Sequence, residues 1–147
     1  MFIQIALGTL LMLLSILVSG LAFWTLEVLL SRSRPWLLRE PHRPKLALVL
    51  SITVVWVLGT VTAGVWIWAL ALWALGIFVT MEASVYFSLV AFTTLGFGDI
   101  LLPQDWRLLG GMAAANGLLS MGLMTAMMVE ALRHVRLGQI EVKRRKG

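Results

Sequence analysis

Cysteine is absent from this chain, which excludes a disulfide framework and any thiolate metal centre. Histidine occurs only at His42 and His134, too far apart and too isolated in sequence to suggest a metal site. Charge is scarce too. Asp, Glu, Lys and Arg make up 13% of the residues, about half the roughly 25% expected of a soluble domain of this length. No nucleophile–base pair, nucleotide-binding loop or metal cluster appears, so nothing supports a catalytic reading. No apolar segment carries arginine at every third position, which excludes a voltage sensor of the usual kind. What the chain does have is oil: 60% of its residues are apolar and its mean hydropathy is +0.93. A bilayer is the solvent that suits it.

Three long apolar stretches stand out. Residues 2–30 hold one charge, Glu27, near the end of the run, while 46–81 and 108–129 hold none. About 20 such residues suffice for a membrane span. The middle stretch is longer than one crossing needs: its 36 residues would reach about 54 Å as a helix, against a hydrocarbon core of about 30 Å. Gly59, Gly64 and Gly76 are candidate bends, and Trp56, Trp66, Trp68 and Trp73 suit an interfacial belt or packing between helices. In the first stretch Gly8, Ser15, Ser19 and Ala22 recur along one side, a small-residue face for a neighbouring helix. Without a basic leader, and with so long an apolar run, residues 1–20 do not resemble a secretory signal.

The formal charge of +5 could point to nucleic acid, but its distribution points to topology instead. The segment "SRSRPWLLREPHRPK" carries Arg32, Arg34, Arg39, Arg43 and Lys45. Arg133, Arg136, Lys143, Arg144, Arg145 and Lys146 follow Glu130, and Arg107 is the one basic residue elsewhere. The positive-inside rule then predicts a cytoplasmic linker and C-terminus, with the N-terminus and residues 93–100 outside. The "KRRK" run suits anionic lipid, at about 1 kcal/mol per basic residue near the surface, or plain topological retention. Glu27 and Glu130, near the cytoplasmic boundary among arginines, are expected to pair or snorkel.

Between the second and third apolar runs lies "TTLGFGDI", residues 93–100. Before it, "TMEASVYFSLVAF" is too short to span but long enough for a re-entrant helix, with Thr80 as its N-cap and Glu82 in its first turn. Non-helical backbone at membrane depth is tolerated only inside protein or along a wet cavity. Glycines at 96 and 98 let successive residues alternate in handedness, so that carbonyls turn to one side. Several chains around an axis would then stack rings of carbonyl oxygens that can replace the water shell of a monovalent cation.

Here the chain resembles the potassium-channel pore family, whose signature is T-V-G-Y-G followed by Asp. Thr94, Leu95, Gly96, Phe97, Gly98 and Asp99 match it, with Leu95 for the valine and Phe97 for the tyrosine. The resemblance runs from about Glu82 to Val129 and includes Tyr86 and Phe87 on the short helix and "NGLLSMGLMTA" in the last one. It implies a homotetramer in which Thr94–Gly98 form the selectivity filter, with K⁺ held at Thr94, Leu95, Gly96 and Phe97. Thr93, Asp99, Tyr86 and Phe87 would support the filter, and the Tyr86 hydroxyl would bond the Asp99 carboxylate behind it. Phe97 lacks the tyrosine hydroxyl, so with Phe87 it can only pack. Val90 stands where some members carry a glutamate. Such a filter has fewer polar braces and is expected to inactivate readily.

At 100° per residue Leu118, Met121, Thr125 and Val129 share one face of the last helix, which the resemblance directs to the cavity and gate. Asn116 and Ser120 lie nearly opposite, so a structural hydrogen bond suits Asn116 better than a role as cavity ligand. Gly117 is the expected hinge and Gly122 the second candidate, with close helix packing the alternative for both. The first helix is an addition to the two-helix pore plan and reads as an anchor. The 15 residues from Arg133 are too few for a ligand-binding domain.

The expected fold is an all-α membrane protein with three transmembrane helices, a re-entrant pore helix and a filter loop, assembled as a tetramer. Residues 1–30 form the first helix, 31–45 the basic linker, 46–132 the pore unit and 133–147 the basic tail. Within the pore unit the outer helix covers 46–79, the pore helix 81–93, the filter 94–99 and the inner helix 108–132. The function expected is passive K⁺ conduction without a cofactor. A non-selective cation channel and a non-conducting assembly subunit are the alternatives; anionic lipid is the expected partner at the linker and tail, and nucleic acid is not.

Overall fold

The computed structural model describes residues 1–33 and 42–146, with side chains described outside 42, 43, 46, 134–136 and 138–146. Helix α1 covers Phe2–Arg32, α2 His42–Ala74, α3 Met81–Phe92 and α4 Arg107–Lys146. A 3₁₀ turn, Gln104–Trp106, leads into α4. No strand occurs among the described residues. Phe2–Arg32, Ala47–Ala74 and Gln104–Arg133 are long and apolar enough to cross a membrane. The protein is thus all-α, with three candidate spans and one short helix. The linker arginines Arg34 and Arg39, the side chain of Arg43 and those of Arg136, Lys143, Arg144, Arg145 and Lys146 lie outside the described residues.

Two helix ends differ from the sequence reading. α2 runs unbroken through Gly59 and Gly64 and stops at Ala74, short of residue 79. Gly76, at φ 66°, ends it: its N–H donates to Trp73 O at 2.9 Å, and Ile77 N–H donates to Leu72 O at 3.1 Å. These are the 5→2 and 6→1 bonds of a Schellman cap, with glycine in the left-handed position. α4 passes residue 132 and continues to Lys146. No proline follows Arg107, and a lone Gly138 is too weak a breaker to end the helix.

α1 buries Gly8, Leu11, Ser15, Ser19, Leu26 and Leu30, one side repeating every three or four residues. Ser15 and Ser19 donate to the carbonyls of Leu11 and Ser15 at 2.9 Å, so they pack closely with no polar group left open. Gly8 lies against Met112 and Leu109 of α4. On the α2 side, Trp56 Nε1 donates to Ala22 O at 3.0 Å. Two apolar clusters result. Leu11, Trp68, Leu72, Ala91, Leu109 and Ala113 join all four helices; Leu26, Leu30, Val49, Met127 and Ala131 join α1, α2 and α4 at the far end. Trp56 and Trp68 therefore pack between helices, while Trp66 and Trp73 stay exposed as belt residues do.

The depth of α3 follows from two glycines. The Phe92 ring lies against Gly64 of α2 and the Phe92 backbone against Gly117 of α4. Each glycine is ten residues from the neighbouring end of its helix, about 15 Å at 1.5 Å per residue. That is half of a hydrocarbon core of about 30 Å. α3 therefore ends beside the middle part of both candidate spans.

Candidate functional site

Thr80 starts α3: its hydroxyl accepts from Ala83 N–H at 3.2 Å, and Glu82 sits in the first turn. The helix ends with the same cap that ends α2. Thr94 N–H donates to Ala91 O at 3.0 Å and Leu95 N–H to Val90 O at 3.1 Å, with Thr94 at φ 57° in the left-handed position. The Thr93 hydroxyl donates to Leu89 O at 2.9 Å. Glycine is the ordinary occupant of that cap position, and a β-branched residue there costs about 1–2 kcal/mol. The strain at Thr94 was not legible in the sequence.

Left-handed backbone recurs at every second residue, with φ 57° at Thr94, 57° at Gly96 and 76° at Gly98, and not at Leu95 or Phe97. Alternation of this kind turns successive carbonyls to one side of the strand. A Cβ at Gly96 or Gly98 would meet nothing within 4 Å, so within one chain the backbone conformation, not space, demands glycine. Thr94–Asp99 are all exposed, Leu95 by 56% and Phe97 by 66%, although they follow a helix that ends beside the middle part of two candidate spans.

The far end of the segment is tied back. Tyr86 Oη donates to Asp99 Oδ2 at 2.5 Å, joining α3 to the residue after the glycines. That bond, with the backbone N–H groups of Asp99 and Ile100, holds the Asp99 carboxyl below the ordinary carboxylate range, against a smaller opposing effect of desolvation. The Phe87 ring lies 5.4 Å from that of Phe78, in the turn after α2, and no Phe87–Phe97 ring pair forms within one chain among the described residues. Behind the segment a cavity of about 260 Å³ is lined by Val90, Thr94, Gly96, Gly98 and Ala114, among others.

On α4, Leu118, Met121, Thr125 and Val129 are exposed, while Ser120 and Met124 are buried opposite them. Asn116 is wholly buried and its amide has no hydrogen-bond partner among the described residues, as is also true of Ser88 Oγ and Trp68 Nε1. Burial in the chain keeps Asn116 off the exposed face, yet the structural hydrogen bond expected of it is not formed among the described residues. Gly117 sits inside a continuous helix at the place where a Cβ would strike the Phe92 carbonyl. No group of three or more His, Cys, Asp or Glu that could hold a metal occurs among the described residues.

A family model described as "Ion channel" matches residues 50–134, which contain α3, the left-handed segment and the membrane part of α4. Comparison with curated proteins and with solved structures gave no match.

Proposed function

This chain belongs to the ion channel family, not to an enzyme family, and from that premise we propose that it conducts K⁺ passively as a homotetramer. The observation that carries the reading is the alternation at Thr94, Gly96 and Gly98, tied at its far end by Tyr86 and Asp99. Four such strands around an axis present stacked carbonyl rings, which substitute for the hydration shell of a dehydrated monovalent cation. Thr94 supplies its hydroxyl and carbonyl to the innermost site, and the carbonyls of Leu95, Gly96 and Phe97 form the sites above it. Thr93, Tyr86, Phe87 and Asp99 hold the strand from behind. A threonine kept in a position that favours glycine fits this role, because glycine there would remove the hydroxyl.

Exposure supports the assembly. Irregular backbone at membrane depth must be buried in protein or face a wet cavity, and one chain gives residues 94–99 neither. Closed symmetry around the strands gives both at once. Leu118, Met121, Thr125 and Val129 then line the cavity and gate, with Gly117 as the place where the inner helix meets the pore helix. By the positive-inside rule the basic segments favour a cytoplasmic linker and C-terminus, with the N-terminus and filter mouth outside and anionic headgroups available to the linker and tail.

A non-selective cation pore is the second reading, favoured by the missing tyrosine hydroxyl at Phe97. Planar-bilayer recording of the purified protein in opposed K⁺ and Na⁺ gradients separates the two. A reversal potential near that of K⁺ supports the proposal; one near zero supports the second reading. No current in any gradient would identify a non-conducting assembly subunit.

A further inference from the structure

Three side chains in the core hold polar atoms without a hydrogen-bond partner among the described residues: Trp68 Nε1 on α2, Ser88 Oγ on α3 and both amide atoms of Asn116 on α4. Trp68 and Ser88 are 1% exposed and Asn116 is 0% exposed. Such groups are almost always paired in folded proteins, and hydrocarbon offers them nothing. Ser88 shows that the space between the helices matters. Ser84 on the same helix, Thr93 at its end, and Thr53 and Thr60 on α2 each donate to the carbonyl four residues back. The Ser88 hydroxyl makes no such bond, so it is turned away from its own helix ladder.

The three residues lie at one level of the bundle. Phe92 packs against Gly64 and Gly117, which fixes the register of α3 with α2 and α4. Gly110 lies against the Phe87 ring, so α3 and α4 run in the same sense. One turn from the Phe92 layer, toward the start of α3, each helix presents its next inward residue: Trp68 on α2, Ser88 on α3 and Ala113 on α4. Asn116 follows Ala113 on the same buried side, beside Gly117. Trp68, Ala91 and Ala113 belong to one packed cluster, which Leu72 and Leu109 close a further turn along. A polar layer is thus enclosed between two apolar ones.

We infer that Trp68, Ser88 and Asn116 hold an internal water molecule between α2, α3 and α4. The chemistry of the three side chains selects the occupant. An indole N–H only donates, so the occupant must accept; Asn116 Oδ1 only accepts, so the occupant must also donate. A metal cation fails the first requirement and a halide the second. The polar atoms have almost no accessible surface, which admits nothing larger than water and keeps lipid headgroups and a second chain from reaching them. Polar groups at one level that do not bond one another are those that water bridges. A buried water makes about three hydrogen bonds, and one from each helix supplies them. The water ties α3, and with it the segment that begins at Thr94, to both neighbouring spans. This goes beyond the conduction proposed above and does not depend on it.

The test is radiolytic footprinting of the full chain in neutral-lipid nanodiscs. A short X-ray pulse splits bound water into hydroxyl radicals, and mass spectrometry maps the side chains they oxidise. Leu26, 2% exposed in the apolar cluster at the far end, is the dry control. With each residue normalised to its intrinsic reactivity, Trp68 is expected to be oxidised well above Leu26 despite equal burial. Asn116→Leu removes both amide atoms at similar volume and should bring Trp68 down to the Leu26 level; Ser88→Ala should lower it less. Trp68 oxidised no more than Leu26 in the unaltered chain would overturn the inference, because the layer would then be dry. An excess at Trp68 that survives Asn116→Leu in a chain that still melts normally would also overturn it. The comparison of Trp68 with Leu26 needs only the unaltered chain, so a poorly folding variant does not remove the test. The readout is oxidation of a buried ring rather than current, so this result and the K⁺ reading stand or fall separately.

Discussion

Alanine at Gly117 separates a packing site from a hinge. A Cβ there would lie 2.6 Å from both C and Cα of Phe92, and closer still to the Phe92 oxygen. Ordinary contact begins near 3.4 Å, so α4 and the end of α3 must part by more than 0.8 Å. The obstacle is backbone, and no rotamer relieves it. Overpacking of this sort costs about 1–3 kcal/mol, while alanine gains about 1 kcal/mol over glycine inside a helix. The expected net is a loss of about 1 kcal/mol per chain. Gly122→Ala is the control, because a Cβ there meets nothing within 4 Å and should stabilise by up to about 1 kcal/mol.

Thermal unfolding of both purified variants, followed by fluorescence-detected size exclusion, reads the difference directly. The proposed filter supplies a second readout. Phe92 is two residues before Thr94, so displacing it should also shift the K⁺/Na⁺ reversal potential in Gly117→Ala and not in Gly122→Ala. The reasoning fails if Gly117→Ala melts as high as Gly122→Ala while both change open probability alike. Gly117 would then be a point of flexure and no more.

Gly98→Ala places a side chain on backbone at φ 76°, at a cost of about 1–2 kcal/mol, and should abolish K⁺ preference with assembly retained; preserved selectivity in flux assays would refute the filter assignment. Tyr86→Phe and Asp99→Asn remove the same 2.5 Å bond, so their effects on inactivation should be strongly non-additive, and additive effects would show that the bond is not functional. Because the bond lowers the Asp99 pKa, its stabilisation is complete above the unfolded value of about 3.9 and is lost as pH falls through the lower folded value; acid on the filter side should therefore speed inactivation in the native chain and not in Tyr86→Phe. Trp56→Phe deletes the 3.0 Å bond to Ala22 O and should lower stability by about 0.6 kcal/mol, with an unchanged melting profile counting against that tie. Neutralising Lys143, Arg144, Arg145 and Lys146 should blunt any response of open probability to anionic lipid, as should high salt; equal open probability in neutral and anionic bilayers leaves those charges a topological role alone.

The parts of the fold legible in the sequence were those carried by local chemistry. Long uncharged runs mark the spans, Thr80 and Glu82 mark the start of α3, and Gly96 and Gly98 mark where the backbone must turn left-handed. The Tyr86–Asp99 bond was legible only through the family resemblance, since nothing local brings residues 13 apart together. What stayed hidden depends on contacts across the chain. The sequence does not distinguish Gly64, which takes the Phe92 ring, from Gly59, which meets nothing within 4 Å. The end of α2 at Gly76 and the passage of α4 beyond residue 132 show the limit of apolar length as a guide, because hydrogen bonding at the cap ends a helix and hydropathy does not. Thr94 is the clearest case. Its type suggests an ordinary extended or helical residue, and only the bonds around it reveal a left-handed cap.

α1 is where sequence and structure lead to different emphases. Small residues along one side fit an anchor, yet the helix touches α4 near both ends of its membrane part. At one end the Gln4 amide donates to Asp105 O and Gly8 lies against Met112; at the other, Leu26 and Leu30 pack with Met127 and Ala131. Between them, Trp56 ties α1 to α2. A bend of α4 at or beyond Gly117 would move Met127 and Ala131 relative to Met112, and α1 is straddled by those contacts. It must follow the bend or lose one of the two ends. Helix association in lipid has no hydrophobic drive and rests on packing and a few hydrogen bonds, each worth about 0.6–2 kcal/mol. Among the described residues the far-end contacts of α1 with α4 are apolar packing, whereas the first end and the middle each have a hydrogen bond. The contact that yields first is therefore the one of Leu26 and Leu30 with Met127 and Ala131.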